Sequence, residues 1–230
     1  MKPATTAAFA IPDSTAANLS AQLKLAYPDL TTISQKWSIS HSLYRPASST
    51  SSQPNSGSLQ ILQLSSRPKQ TFLCTTTSVP DQDKSAVVAI QTDPGEADFR
   101  GLLRDKFGPL WQHVRGAEMR VTGTEMEVGM FRVIVADISR DRGVAGSGVE
   151  SRGVMFSVSL LGDGAGEPVA DEQTEERELI EDFCSNLGIS TELDKTWGNR
   201  GVWKEEVHFW SSFLRQRLPS SAGGRPRGGE

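Results

Sequence analysis

The chain has 230 residues, 24 basic and 28 acidic, with a net charge of −4 and a pI near 5.5. That charge argues against a general nucleic-acid binder, whose affinity rests on neutralising phosphates. Two cysteines, Cys74 and Cys184, are too few for a disulfide framework or a cysteine-based zinc site. No apolar run is long enough for a transmembrane helix, and no leucine-rich core precedes Pro12 as a secretory signal requires. An intracellular soluble protein is the expectation.

Phe9 to Ile11 reads as a short first strand. Asp13 and Ser14 offer helix N-caps, Leu19, Leu23, Ala26 and Tyr27 follow at helical spacing, and Pro28 closes the segment. Trp37, Ile39, His41 and Leu43 alternate with Lys36, Ser38, Ser40 and Ser42, the cleanest strand pattern in the chain. Ala47 to Ser58 is serine-rich, cannot bury enough apolar surface to order itself, and is expected to be a mobile loop over 47–58. Leu59–Leu64 and Thr71–Thr77 read as a hairpin joined through Arg67 and Pro68. Ala86–Gln91 is an apolar run consistent with a strand buried on both faces.

A helical stripe follows at Phe99, Leu102, Leu103, Phe107, Leu110 and Trp111, interrupted by Gly108-Pro109. Ala117, Met119 and Val121 then alternate. The phase slips near Gly123 and resumes at Met126 and Val128, which suggests a β-bulge. Gly129 turns the chain into the strand Phe131, Val133, Val135; Arg140–Gly148 is a glycine-bearing loop; Val154, Phe156, Val158 and Leu160 form the last clear strand. Leu179, Ile180, Phe183, Cys184 and Leu187 are the buried stripe of an acidic helix capped by Gly188. A final helix carries Trp203, Val207, Trp210 and Leu214 on one face and stops at Pro219.

Most neighbouring strands are joined without a helix, so antiparallel pairing is favoured. The predicted fold is α+β: an antiparallel, barrel-like sheet of about eight strands flanked by about four helices. It forms one domain over 1–219, with a disordered glycine-arginine tail at 220–230.

Motifs for chemistry are sparse. His41, His113 and His208 fall on separate elements without metal-ligand spacing. His41 lies in phase with an apolar strand face and reads as a core histidine. A Ser-His-Asp triad has no fixed order along the chain, but the GxSxG elbow is absent. Gly146-Ser147-Gly148 and Gly162-Asp163-Gly164-Ala165-Gly166 lack the residues that complete a phosphate cradle. Cys74 and Cys184 read as small buried hydrophobes. No catalytic, cofactor or metal residue is predicted. The acidic run Asp171–Asp182 reads as a solvated helix face. The five tryptophans are more suggestive, because tryptophan is enriched at interface hot spots. The expected interface lies on the hairpin and loop of 128–151 and the edge of the last helix, with Val128, Met130, Arg140, Arg142, Arg152, Trp203 and Trp210 as its candidates.

Three pieces carry a family resemblance. One is the strand pair Gly57–Leu64 and Thr71-Phe72-Leu73. A second runs from Phe99 through Trp111 to Arg115-Gly116-Ala117. The third and most specific is Phe131-Arg132-Val133-Ile134-Val135, then a loop, then Arg152-Gly153-Val154-Met155-Phe156-Ser157-Val158. In this order Gly57–Ser159 resembles subunit 20 of the Mediator complex, the TBP-related subunit, and the Trp37 strand ending in Leu43-Tyr44-Arg45 is similar to fungal members. The resemblance implies a nuclear, non-enzymatic scaffold of the Mediator head module. It would pair with subunit 18, attach through subunit 8, and coregulate RNA polymerase II transcription without touching the polymerase, nucleic acid, membrane or a small-molecule substrate directly. Two alternatives stand beside it. A TBP-like protein would grip the minor groove directly, but the strands here alternate apolar residues with serine, threonine and glutamine. A phosphate-processing barrel enzyme would need inward carboxylates and cations, which the strands at 36–44, 71–77 and 153–160 barely offer.

Overall fold

The computed structural model describes residues 4–12, 14–47, 57–79, 82–91, 101, 105, 106, 108–114, 116–141, 148–161, 170–190, 195–200 and 202–217. Along them run β1 (Ala4–Ile11), α1 (Ala16–Ala26), β2 (Thr31–Pro46), β3 (Ser58–Leu64), β4 (Gln70–Val79), β5 (Gln82–Gln91), β6 (Trp111–His113), β7 (Met119–Val128), β8 (Phe131–Asp141), β9 (Val149–Leu160), α2 (Ala170–Asn186), β10 (Lys195–Arg200) and α3 (Trp203–Arg215). The strands make one antiparallel sheet in the order β10-β1-β9-β8-β7-β2-β3-β4-β5, and β6 pairs with the end of β2. Tight turns set its register. The β7–β8 hairpin pairs Val128 with Phe131 around Gly129-Met130, and Gly129 takes the positive φ (56°) that such a two-residue turn demands.

Alternation gives the sheet two apolar faces. One face curls around α3: Ala8, Ile39, Leu62, Phe72, Val121, Ile134 and Met155, from seven different strands, join Val207, Trp210, Phe213 and Leu214 in one core. At the N-terminal end of α3 the guanidinium of Arg67, in the β3–β4 turn, stands 3.7 Å from the buried carboxylate of Glu206. The other face packs under α1 and α2. Phe9, Val133, Val135, Phe156 and Val158 meet Leu19 and Leu23 of α1 and Ile180, Phe183 and Cys184 of α2. Gly188 (φ 72°) ends α2, and the Ile189 N–H donates to the Cys184 carbonyl, so the expected glycine cap is present.

The antiparallel α+β plan stands, with differences in detail. The sheet has ten strands and is open, its edges being β5 and β10; three helices lie among the described residues, and α3 sits in the trough rather than on its flank. The short β10 carries no alternating apolar signal because Gly198 holds one of its inward positions, where a Cβ would stand 2.4 Å from the Phe209 ring. β5 is not buried on both faces: it is an edge strand, and Val88 on its outer side is 55 % exposed. β7 has no bulge, since its pairing with β8 runs unbroken from Met119 to Val128. Its apolar phase changes because Met119 and Val121 face α3 while Met126 and Val128 face the helices outside. The irregularities lie across the ladder in β2, between Thr32 and Ser34 and between Ser34 and Trp37.

Smaller corrections follow the same logic. The α1 cap is Thr15, whose hydroxyl accepts from Asn18 N at 3.3 Å, and not Ser14; Asp13 lies outside the described residues. Trp111 belongs to β6 rather than to a helix. Most of the expected helix over 99–111, most of the serine loop, the loop centre at 142–147 and the tail lie outside the described residues.

Candidate interaction surface

His41 and both cysteines are buried, and burial favours their neutral forms, whereas His113 is exposed on β6 with its Nε2 3.5 Å from the Glu118 carboxylate. His41 is buried on the trough face of β2, and its Nε2 lies 2.9 Å from the Gln60 side-chain oxygen. Burial lowers its pKa to about 4. Cys74 on β4 accepts from the Ser211 hydroxyl at 3.5 Å and lies 3.9 Å from His208 Nδ1. Burial raises the thiol pKa and lowers that of His208, so neither half of this pair is driven toward a thiolate–imidazolium couple. Burial, then the nearby Glu181 carboxylate, pushes Cys184 up to about 12. Among the described residues no group of three His, Cys, Asp or Glu side chains is placed to hold a metal ion, and no helix is long and apolar enough to cross a membrane.

The residues expected at an interface are dispersed. Trp210 is fully buried in the trough, edge-on to Trp37 at 5.5 Å. Val128 is buried beneath the outer helices. Trp203 is half-buried, its ring 5.8 Å from Phe72 and 5.5 Å from the Lys204 ammonium. Met130, at the tip of the β7–β8 turn, is exposed. Arg140 donates from Nε to the Gly116 carbonyl, Arg152 is 3.1 Å from Glu150, and Arg142 lies outside the described residues. Met130 and Arg140 stand at opposite ends of β8, ten residues or ~33 Å apart at strand rise. The structure therefore does not bring these residues into one patch. Strand alternation marks Val128 and helical spacing marks Trp210 as apolar anchors, but neither pattern carries information about whether the anchor faces a partner or the chain's own core.

Comparisons with known proteins cover most of the chain. Among solved structures it is similar to a component of the Schizosaccharomyces pombe Mediator head module (14 % identity, 85 % of this chain and 98 % of that chain, TM-score 0.42). It is also similar to the PH1819 protein of Pyrococcus horikoshii (13 %, 90 % and 98 %, TM-score 0.43) and to a putative adenylate cyclase of Vibrio parahaemolyticus (11 %, 89 % and 98 %, TM-score 0.46). No curated protein matches its sequence significantly. The family model for the TATA-binding related factor of subunit 20 of the Mediator complex matches residues 8–202, from within β1 to the start of α3. The chain belongs to the Mediator subunit 20 family.

Proposed function

We propose that this chain is a non-enzymatic interaction subunit of the Mediator head module, acting in the nucleus through protein contacts that coregulate RNA polymerase II transcription. In this reading it pairs with subunit 18 and joins the module through subunit 8. The family match over residues 8–202 carries the proposal. The trough supports it. A saddle that straddles DNA or a tunnel that processes phosphates would use this concave face, and here Trp210, Phe213 and Leu214 fill it. The exposed tip at Met130 and the half-buried rim at Trp203 remain available to partners and are assigned here to contacts within the module.

Co-expression with subunit 18 of the same organism, followed by size exclusion and mass spectrometry, tests the reading. A stable stoichiometric complex is expected. Elution as a monomer beside folded subunit 18, turnover of a phosphorylated small molecule, or a salt-dependent shift of a DNA probe at low micromolar protein would each overturn it.

A further inference from the structure

On the outer face, α1 and the β2–β7 pair enclose an open groove of about 770 Å³. Its near wall is one side of α1, with Ala17, Ala21 and Lys24 at helical spacing; its floor is Thr122, Gly123 and Thr124 of β7; its far wall includes Gln35, Lys36 and Ser38 of β2. The far wall is built by the two register irregularities of β2. They insert extra residues opposite Gly123–Met126 and carry Gln35 and Lys36 outward from the ladder. The near wall is low because α1 packs on β8 with Leu19 and Leu23 buried, and turns Ala17, Ser20 and Ala21, beside Lys24, toward the groove.

The groove is lined by two cations and one carboxylate, a net positive charge. Lys24 and Lys36 stand on opposite walls, both exposed, and neither makes an ion pair with a described residue. The one carboxylate in the lining, Asp137, accepts the Ala16 N–H at 2.9 Å and caps the start of α1. On a chain of net charge −4, two exposed lysines against one carboxylate make this groove a local site of opposite sign. Beyond the groove, the Ala17–Ala21 stripe continues to Leu25, which is 85 % exposed.

These features select the occupant. Lysines on facing walls attract distributed negative charge rather than one convergent phosphate, for which a planar arginine fork is the better fit. Two cations neutralise too few phosphates to hold duplex DNA. The alanines admit a close backbone, the threonine and serine hydroxyls offer hydrogen bonds, and Leu25 offers an apolar contact. We propose that this groove docks an acidic peptide segment of a partner protein, with carboxylates on Lys24 and Lys36 and an apolar side chain on Leu25. The proposal does not depend on which module the chain occupies.

Fluorescence anisotropy with the full chain and a fluorescein-labelled peptide of alternating glutamate and leucine tests it. Saturable binding that weakens with added salt is expected. Lys24→Glu/Lys36→Glu and, separately, Ala21→Trp at an exposed position each weaken it at least about tenfold. Lys69→Glu, outside the groove, leaves it unchanged, and the same peptide with lysine for glutamate does not bind. No saturable binding by the wild type, equal binding by the charge-reversed variant, or equal loss with Lys69→Glu overturns the proposal. Displacement of the peptide by a DNA duplex in a Lys24- and Lys36-dependent manner reassigns the groove to nucleic acid and overturns it as well.

Discussion

Replacing Trp210 with alanine probes the placement on which the functional reading turns. The indole is fully buried between the sheet and its own helix, edge-on to Trp37 and beside Phe209 and Phe213. Truncation removes ~200 Å² of buried surface, an upper bound of ~5 kcal/mol at ~25 cal/mol per Å². Aromatic-to-alanine changes in cores cost about 3–5 kcal/mol. A loss of ~4 kcal/mol is a large share of a domain stability of ~5–15 kcal/mol. At a urea slope of ~2 kcal/mol/M the unfolding midpoint falls by ~2 M. Far-UV circular dichroism is the assay, because the variant lacks one of the fluorophores. A midpoint shift below ~0.5 M, or ~1 kcal/mol, refutes the packing of α3 in the trough. The same experiment separates core from interface. If Trp210 served a partner, the variant would keep its midpoint and lose the partner; as a core residue it loses the midpoint.

Two further outcomes follow from the geometry. Gly123→Ala places a Cβ 2.0 Å from the Val135 carbonyl oxygen and 2.4 Å from the Ala136 Cα, both backbone atoms that cannot swing aside; the same urea titration should show a loss of about 1–3 kcal/mol, and a change within ~0.5 kcal/mol contradicts the β7–β8 register. His41 predicts acid sensitivity of known sign. Its pKa falls from 6.5 to about 4 on folding, so its contribution is complete above 6.5 and is lost as pH falls toward 4, where the unfolded chain binds the proton first. The difference is worth up to about 3 kcal/mol, and His41→Gln should flatten that part of the profile; wild type and variant losing stability in parallel across the window would show that the imidazole is not held neutral.

What was legible in the sequence was what depends on local spacing. The β2 alternation, the β3–β4 hairpin, the Gly129 turn and the Gly188 cap each follow from residues within a turn or two of one another, and each is present. What was not legible depends on residues far apart in the chain. A heptad spacing put Trp203 and Trp210 on one helical face, but the sheet wraps farther around α3, burying Phe209 and Phe213 as well. β10 is too short and too poor in apolar side chains to signal itself, and exists because β1 offers it a partner. The groove was invisible for the same reason. Lys24 and Asp137 are more than a hundred residues apart in the chain, and the β2 irregularities that aim Lys36 outward are defined only by the pairing with β7.

The packing of α3 also weighs by a magnitude against DNA binding through the concave face. For the concave face to meet a duplex, α3 must leave it, exposing Val207, Phe209, Trp210, Phe213 and Leu214 together with the sheet residues beneath. At ~2 kcal/mol for each side chain returned to water, the helix alone costs ~10 kcal/mol. Non-specific DNA affinity supplies ~5–8 kcal/mol, and it would have to come from a face whose described core is aliphatic and aromatic rather than basic. The displacement is therefore uphill even with DNA in hand. The sheet's inner face is committed to its own helix, and among the described residues the surfaces left to a partner include the β7–β8 turn, the sheet edges at β5 and β10 and the lysine-walled groove.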